Sequence, residues 1–407
     1  MAILSYIAAL LLVVPTAYLV AVCGYLALVT LGAWCFRKRC APDAPPLRFA
    51  VLVPAHNEEH HLGDILAAAK TMDYPHDHFD LFVIADNCND RTAAIAREGG
   101  ATPWERFDPD HPGKGQALDW AIRSHHDVLE VYDAIALVDA DMHIDPEFLR
   151  ELSSSLSAPG VDVVQALNTV AKPEQTWRTG LGYLGFTVIN HVRPAGRNWL
   201  GGTAELKGSG MAFRRELLLH YGWPAHSIAE DAEFGKQLFL DGVIVQYNPD
   251  AMVTSEIPVR PEQARIQQSR WEGGKIVLHR KYLPILTKRF LARPTLPNLD
   301  ALLDLLVPPQ SALVALLGLC WLLSLLAGPV WTAVLSLCGL GVVFCILSGL
   351  LLRRAPLIIW GYLLAVPLLL FWKLPLLARM LVHKGGRAWQ RTPRDPELAA
   401  QSQEEGD

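Results

Sequence analysis

Long apolar segments without charge set apart the two ends of the chain. Ile3 to Phe36 contain no charged side chain, and this run exceeds the ~20 residues that a helix needs to cross a bilayer. The basic residues Arg37, Lys38 and Arg39 follow directly. Because basic residues beside a span favour the cytoplasmic side, the pattern predicts a membrane anchor whose chain continues in the cytoplasm.

Three further apolar stretches lie towards the carboxyl end, at Ser311–Gly328, Val330–Leu352 and Pro356–Leu370. A cytoplasmic position for Arg353–Arg354 predicts that the first two stretches form a hairpin through the membrane. The third contains Pro367 and precedes a basic segment. A third crossing would put that basic segment outside, whereas a kinked or re-entrant segment would keep it inside, so two or three crossings stay open.

Between these ends, from about 48 to 260, short apolar runs alternate with helical patterns. The run Phe49–Val53 ends at Pro54 and is typical of a buried parallel strand. Such alternation predicts an α/β domain with a mostly parallel sheet and helices on both faces. The other predicted strands are Leu81–Ala85, Ala134–Val138 and Val161–Ala166, and the predicted helices are His60–Met72, Thr92–Glu98, Gly115–Ser124 and Pro146–Leu156.

The segment Lys275–Arg293 mixes apolar and basic residues. That composition favours a helix at the membrane surface, with a solvated basic helix as the alternative. The patterns together divide the chain into an anchor (1–40), an α/β domain (41–262), surface helices (263–305), C-terminal transmembrane helices (306–383) and a basic, then acidic tail (384–407).

Composition and charge exclude some classes of protein. Hydrophobic residues make up 51% of the chain, charged residues 19%, and the net charge is −5. No basic field points to nucleic acid as a partner. The seven cysteines lack the spacings of a disulfide framework or a zinc site, which suits a reducing compartment.

Two carboxylates follow a predicted strand. Asp139 and Asp141 come directly after Ala134–Val138, where they are placed to hold a hard divalent cation through oxygen ligands. Strand-end aspartates also cap helices, but Asp145 is the better cap for the helix that starts at Pro146. The pair therefore predicts a metal site.

Other polar residues also sit at element ends. Asp86 follows the strand Leu81–Ala85, where it can accept hydrogen bonds from a nucleobase or a ribose. Lys114 stands at a helix start, where a cation and backbone amides can meet phosphate. Gly180–Gly185 matches a dinucleotide-binding pattern, but no strand leads into it, so we interpret the match as chance.

Two later groups complete the candidate chemistry. Glu230 and Asp231 open an apolar-periodic helix, where the helix dipole favours carboxylates and where one of them can act as a general base. Gln267, Arg270 and Trp271 follow. Arg offers a planar fork for a diphosphate and Trp a face for a sugar ring, although both residue types also anchor helices at a membrane interface.

This order of motifs resembles the membrane-integrated family 2 glycosyltransferases, which include cellulose, hyaluronan and chitin synthases and ceramide glucosyltransferase. The family pattern is a first Asp, D-x-D, (E)D and Q-x-x-R-W. The resemblance covers roughly 49 to 271, including the opening Val53–Glu59, and extends to a W-x-R-T-P-R-like segment at Trp389–Arg394. The matching residues are Asp86, Asp139, Asp141, Glu230, Asp231, Gln267, Arg270 and Trp271.

The resemblance implies a GT-A fold, Mg²⁺ or Mn²⁺ as cofactor, and a role for each matched residue. Asp231 would be the catalytic base, and Asp139 and Asp141 the metal ligands. The implied donor-binding residues are Pro54, Ala55, Asn57, Glu58, Asp86, Lys114, Asp139, Gln267 and Arg270, and the implied acceptor-binding residues are Gly208, Ser209, Glu230 and Trp271.

The implied function is inverting transfer of a sugar from a UDP-sugar to a growing polysaccharide, on the cytoplasmic side of the inner or plasma membrane. The alternatives are a single transfer to a lipid such as ceramide or polyprenyl phosphate, and a non-catalytic membrane scaffold. Two departures put polymer identity in doubt: Ala229 stands where cellulose synthases have Thr, and Asn87 stands where a second acid follows the first Asp.

Overall fold

The computed structural model describes residues 2–257 and 261–368. Its centre is one eight-stranded sheet with the strand order β3-β2-β1-β4-β7-β6-β8-β5. The strands are β1 (Phe49–Ala55), β2 (Phe79–Asp86), β3 (Thr102–Arg106), β4 (Ala134–Leu137), β5 (His143–Ile144), β6 (Val163–Val170), β7 (Met211–Arg214) and β8 (Val245–Ser255).

The sheet is mostly parallel, as predicted, but β7 interrupts it. β7 lies between β4 and β6 and is antiparallel to both, and β5 is antiparallel to β8. The remaining pairings are parallel. The sequence pattern misses β3, β5, β7 and β8, which are either very short, as β5 is, or broken by Pro and charged residues, as β3 and β8 are.

Helices cover both faces of the sheet and form the long apolar segments. They are α1 (Ala2–Cys35), α2 (Leu62–Lys70), α3 (Thr92–Glu98), α4 (Lys114–Ser124), α5 (His126–Leu129), α6 (Phe148–Leu156), α7 (Trp177–Thr187), α8 (Arg193–Trp199), α9 (Arg215–Tyr221), α10 (Glu230–Leu240), α11 (Pro261–Ala292), α12 (Leu296–Leu306), α13 (Gln310–Ala327), α14 (Pro329–Leu352) and α15 (Leu357–Gly361).

Alternate residues of the strands fill two separate core clusters. Along β1, Phe49, Val51 and Val53 lie in one cluster, whereas Ala50 and Leu52 lie in the other. Helices α2, α3 and α6 contribute to the first cluster, and α4, α9 and α10 to the second. Full burial of one large apolar side chain contributes about 1.5–3 kcal/mol to stability. The two clusters therefore hold the sheet, and with it the strand ends that carry the polar residues, in place.

Within residues 2–257 and 261–368, three helices are long and apolar enough to cross a membrane: α1 from Ile3, α13 and α14. They pack on one another, and Ala33 of α1 and Cys345 of α14 belong to a core cluster of the α/β domain. The third predicted C-terminal stretch is described only to Leu368, as a shorter apolar helix, Leu357–Leu368. Tyr362 in this segment donates a hydrogen bond to Glu174 O at 3.0 Å, next to α7.

The anchor helix α1 and helix α8 approach each other closely. A Cβ added to Gly196 of α8 would lie 1.8 Å from Val29 O of α1. Tyr25 of α1 donates a hydrogen bond to Asp300 of α12 at 2.8 Å, and Arg197 of α8 pairs with the same carboxylate at 3.0 Å. Buried polar and ionic groups thus join α1, α8 and α12.

Candidate active site

Neighbouring strand ends bring the predicted donor residues to one edge of the sheet. Ala55 at the end of β1 is paired with Ala85, and Asp86 is the last residue of β2. On the other side of β1, β4 ends at Leu137, and Asp139 follows. Because these strands are parallel, Asp86 and Asp139 lie at the same carboxyl edge, where ligands bind in such sheets.

The side chain of Lys114 joins three of the predicted segments. Its ammonium group forms an ion pair with Asp139 and donates a hydrogen bond to Gly208 O at 2.5 Å. Asp139 N donates to Ser209 Oγ at 3.0 Å. A Cβ added to Gly208 would lie 3.2 Å from Asp231 Oδ2. Residues predicted from distant parts of the sequence therefore meet in one place.

The loop that carries Gly208 and Ser209 is held by its glycines and by a buried amide. Gly208 and Gly210 have φ of +81° and +68°, a region that other residues rarely adopt. Gln165 of β6 donates from Nε2 to Ser209 O at 2.9 Å and accepts from Lys207 N at 2.9 Å. The sequence analysis missed Gln165, whose signal is a single amide within the apolar start of a strand.

Glu230 and Asp231 begin α10, as predicted, and both are partly buried. Burial raises the pKa of Glu230 to about 8, and the neighbouring charge of Asp231 adds to this shift. Burial also raises the pKa of Asp231, although the N–H of Ala232, at 2.7 Å from Oδ1, and the charge of Lys114 oppose it. This pair can therefore hold or accept a proton near neutral pH.

Asp139 and Asp141 provide oxygen donors in the turn after β4, where Met142 N donates to Asp139 O at 3.1 Å. The Asp139 carboxylate already lies beside a positive charge, because it forms an ion pair with the Lys114 ammonium group. Burial lowers the pKa of Lys114, but the negative charges of Asp139 and Glu230 outweigh it and the pKa is raised. Carboxylate oxygens are the donors that Mg²⁺ and Mn²⁺ prefer, so the residues fit a divalent cation.

Asp86 is buried and paired with a residue that the sequence analysis missed. Arg106 NH1 donates to Asp86 Oδ1 at 2.6 Å, and Asn87 Nδ2 donates to the same oxygen at 3.1 Å. Arg106 also donates to Asp108 Oδ2 at 2.8 Å. Since Arg106 belongs to β3, an edge strand without a clear pattern, its proximity to Asp86 follows only from strand pairing.

The loops after β1 and β2 are fastened together beside Asp86. Asn57, with φ of +55°, accepts a hydrogen bond at Oδ1 from Asn89 N at 2.9 Å. Glu58 N donates to Thr92 Oγ1 at 2.9 Å. The predicted donor loop, from Pro54 to Glu58, thus lies against the segment that follows Asp86.

The Q-x-x-R-W residues lie on α11, and two further sequence matches lie elsewhere in the chain. Gln267 lies on α11, and the side chains of Arg270 and Trp271 lie outside the described part of the chain, as does Trp389–Arg394. Gly180–Gly185 lies within helix α7 and not at a strand-to-helix turn, which agrees with its interpretation as a chance match.

The sheet and the carboxylates at its edge define the GT-A class of α/β fold. The chain belongs to the family described as Glycosyltransferase like family 2, whose model matches residues 45–274. The predicted family is thereby confirmed at this level.

Similar proteins differ in the activities that their names state. The beta-monoglucosyldiacylglycerol synthase of Trichormus variabilis is 28% identical over 282 residues, covering 66% of this chain and 58% of that protein. The N-acetylglucosaminyltransferase of Rhizobium meliloti is 25% identical over 369 residues, covering 86% and 82%. This chain thus spans less than two thirds of the synthase's length.

A solved structure supports the fold. The mannosyltransferase PcManGT from Pyrobaculum calidifontis, in complex with GDP-Man and Mn²⁺, has a TM-score of 0.51 and 19% sequence identity. The similarity covers 88% of this chain and 99% of that one. It extends the fold assignment to nearly the whole described chain.

Proposed function

We propose that the protein transfers a sugar, with inversion at the anomeric carbon, from a UDP-sugar to a growing polysaccharide at the membrane. The observation that carries the proposal is the meeting of Lys114, Asp139, Gly208 and Asp231 in one place. These groups supply a diphosphate site and a base within reach of each other.

The donor would lie along the carboxyl edge of the sheet. Asp86 and the loop from Pro54 to Glu58 are placed for the uridine, while Asp139 and Asp141 would hold Mg²⁺ or Mn²⁺ on the diphosphate. The cation, when bound, supplies positive charge that stabilises the leaving diphosphate. Lys114 acts in the same sense, because its charge is already in position before negative charge develops. We assign Gln267 and Arg270 to the diphosphate on the resemblance alone.

Asp231 is the proposed general base. It takes the proton of an acceptor hydroxyl while that oxygen forms a bond to the anomeric carbon and the bond to the diphosphate breaks on the opposite face. Base catalysis of this kind typically contributes about 10²–10⁴-fold. Gly208 and Ser209 form the floor of the proposed acceptor site, Glu230 donates a hydrogen bond to the acceptor when protonated, and Trp271 is assigned to the sugar ring by resemblance.

A single transfer to a lipid is the second candidate, favoured by the closeness of α11 to the base. A Cβ added to Gly274 of α11 would lie 2.9 Å from Ala229 Cβ, directly before Glu230. The α/β domain also packs on α1 through Ala33. The site therefore lies close to elements that we assign to the membrane and its surface. The synthase of Trichormus variabilis carries a lipid in its name.

We further propose that the α/β domain is cytoplasmic, that the division of the chain follows the predicted domains, and that the membrane is the inner or plasma membrane. Basic residues follow α1 and α14, as the charge rule requires. In a cysteine-free variant of the chain, Gly328→Cys should react with a membrane-impermeant maleimide from outside intact cells, and Ala355→Cys only after permeabilisation. The reverse labelling would contradict this orientation.

Product analysis tests the proposed reaction. The purified protein in lipid nanodiscs is incubated with Mn²⁺ and a panel of UDP-sugars, and both UDP release and product size are measured. A ladder or polymer supports the polysaccharide acceptor, and a single glycolipid supports the lipid acceptor. No UDP release with any donor would overturn the enzymatic proposal in favour of a non-catalytic scaffold.

A further inference from the structure

Three lysines from different elements surround one glutamate beside the proposed base. Lys207 precedes Gly208, Lys236 lies on α10, and Lys275 lies on α11. Lys207 Nζ is 2.6 Å from Glu205 Oε2, and Lys236 Nζ is 3.1 Å from Glu205 Oε1. The two oxygens of this single carboxylate are therefore each paired with a lysine.

Lys275 lies in the same cluster without an ion pair of its own. Among the described residues it has no carboxylate oxygen within 4.0 Å. Burial and the positive charges of Arg193 and Lys207 lower the pKa of Lys275 to about 8, and the negative charges of Glu205 and Asp304 offset this only in part. Asp304 is itself paired with Arg193 and Arg197. Lys275 is half-buried, and an ammonium group that is partly removed from water without a counter-ion among the described residues would be stabilised by a bound anion.

The lysine cluster lies next to the proposed catalytic carboxylates in two places, through the neighbours of Lys207 in the loop and of Lys275 on α11. Gly208, directly after Lys207, lies beside Asp231, with 3.2 Å from its added Cβ to Oδ2. Gly274, directly before Lys275, packs on Ala229, directly before Glu230. An anion held by these lysines would therefore lie next to the base, on its α11 side.

We propose that Lys207, Lys236 and Lys275 bind a phosphate group of the acceptor, so that the preferred acceptor is anionic. This rests on the proposed function and narrows its acceptor, whether glycan or lipid, to one that carries phosphate. Charge supports the assignment, since three lysines face one glutamate. A purely structural role, in which lysines balance the charge of Glu205, would account for the positions of Lys207 and Lys236. It does not account for Lys275.

Two soluble probes that differ in charge test this site. Binding of dihexanoyl phosphatidate and of dihexanoylglycerol to the full chain in phosphatidylcholine nanodiscs is measured by calorimetry. We expect the phosphatidate to bind at least ~10-fold more tightly, since charge-assisted hydrogen bonds are stronger than those between neutral groups. Lys275→Gln and Lys236→Gln should each weaken phosphatidate binding at least ~10-fold, whereas Lys275→Arg should retain it.

Lys288→Gln is the matched control, because Lys288 is an exposed lysine of the same helix. This variant should bind the phosphatidate like the wild type. Inorganic phosphate, titrated alone, separates the two sources of the anion: binding with the same lysine dependence supports the site and identifies free phosphate as sufficient. Equal binding of the charged and neutral probes, or wild-type binding in Lys275→Gln and Lys236→Gln, would overturn the proposal.

The two proposals fail separately. Asp231→Asn should abolish sugar transfer while leaving phosphatidate binding intact. If the lysine variants bind the phosphatidate like the wild type while the wild type transfers sugar, only the acceptor assignment is wrong. If the wild type binds the phosphatidate through these lysines but transfers no sugar, only the enzymatic proposal is wrong.

Discussion

Two adjacent carboxyl groups at the start of α10 have different surroundings. Asp231 accepts the N–H of Ala232 and lies next to Gly208 and Lys114. Glu230 lies nearer to Gly115, whose added Cβ would be 3.5 Å from Glu230 Cβ. Since the pKa of Glu230 is raised to about 8, Glu230 is the better hydrogen-bond donor near neutral pH, and Asp231 remains the proposed base.

This difference predicts a pH-dependent effect of Glu230→Gln on stability. Folding raises the pKa of this carboxyl group from 4.5 to about 8. The folded state therefore favours the protonated form, and the stability that this form provides is fully present below pH 4.5 and is lost as the pH rises towards 8. At pH 5 the variant should therefore match the wild type. At pH 8.5 it should be more stable by at least about 1.4 kcal/mol, which corresponds to a pKa difference of about one unit, and should have a higher Tm.

Thermal unfolding at the two pH values measures this effect. Glu98→Gln is the control, because Glu98 is an exposed carboxylate and should show no such dependence. An equal Tm difference between Glu230→Gln and the wild type at both pH values would contradict the raised pKa.

The Asp86–Arg106 pair makes a second prediction at this scale. The two side chains are only 8% and 5% exposed, so Arg106→Met leaves a buried carboxylate without its partner and should cost about 3–5 kcal/mol. Arg97→Met removes a pair whose side chains are 58% and 57% exposed and should cost less than about 1 kcal/mol. Unfolding in detergent compares the two variants, and equal losses would rule out a special role for the buried pair.

Some site residues can be predicted from the sequence and others cannot. Asp139 and Lys114 stand at element ends that the apolar pattern marks, so their place at the sheet edge follows from strand order. Gln165 and Arg106 act through contacts with residues far along the chain, at Ser209 and Asp86. No local pattern encodes such contacts, and only the folded sheet reveals them.

At the scale of elements, the antiparallel strand β7 is the largest departure from the predicted sheet. It has only four residues, Met211–Arg214, and directly follows the loop that contains Gly208 and Gly210. Four residues are too few for periodicity to distinguish a strand. Yet this strand carries the loop that places Ser209 beside Asp139.

The close contact between α1 and α8 predicts that a methyl group added at Gly196 lowers the stability of the protein. Gly196→Ala should destabilise the protein by about 1–3 kcal/mol, because its Cβ would lie 1.8 Å from Val29 O and force the helices apart. Gly24→Ala, on α1 with no atom within 4 Å of the added Cβ, is the matched control and should be neutral or stabilising. Detergent unfolding with equal Tm values for the two variants would argue against this close packing.

For the whole molecule, the long apolar helices share core residues with the α/β domain, and buried ion pairs join α8 to α12. Arg193 of α8 pairs with Asp304 of α12, and Arg197 of α8 pairs with both Asp300 and Asp304. Tyr25 of α1 donates a hydrogen bond to Asp300. The sequence predicts each apolar segment separately, but these partners lie too far apart along the chain for any pattern to join them. The arrangement fixes the proposed site relative to the membrane helices.

The central claim is that the groups gathered around Asp231 perform sugar transfer. Its most direct test compares Asp231→Asn with Asp241→Asn, at an exposed aspartate directly after the same helix. Both transfer from the UDP-sugar and Mn²⁺-dependent binding of UDP are measured. We predict that Asp231→Asn lowers turnover by at least about 10²-fold with UDP binding nearly unchanged, and that Asp241→Asn behaves like the wild type. Wild-type turnover in Asp231→Asn would contradict the account.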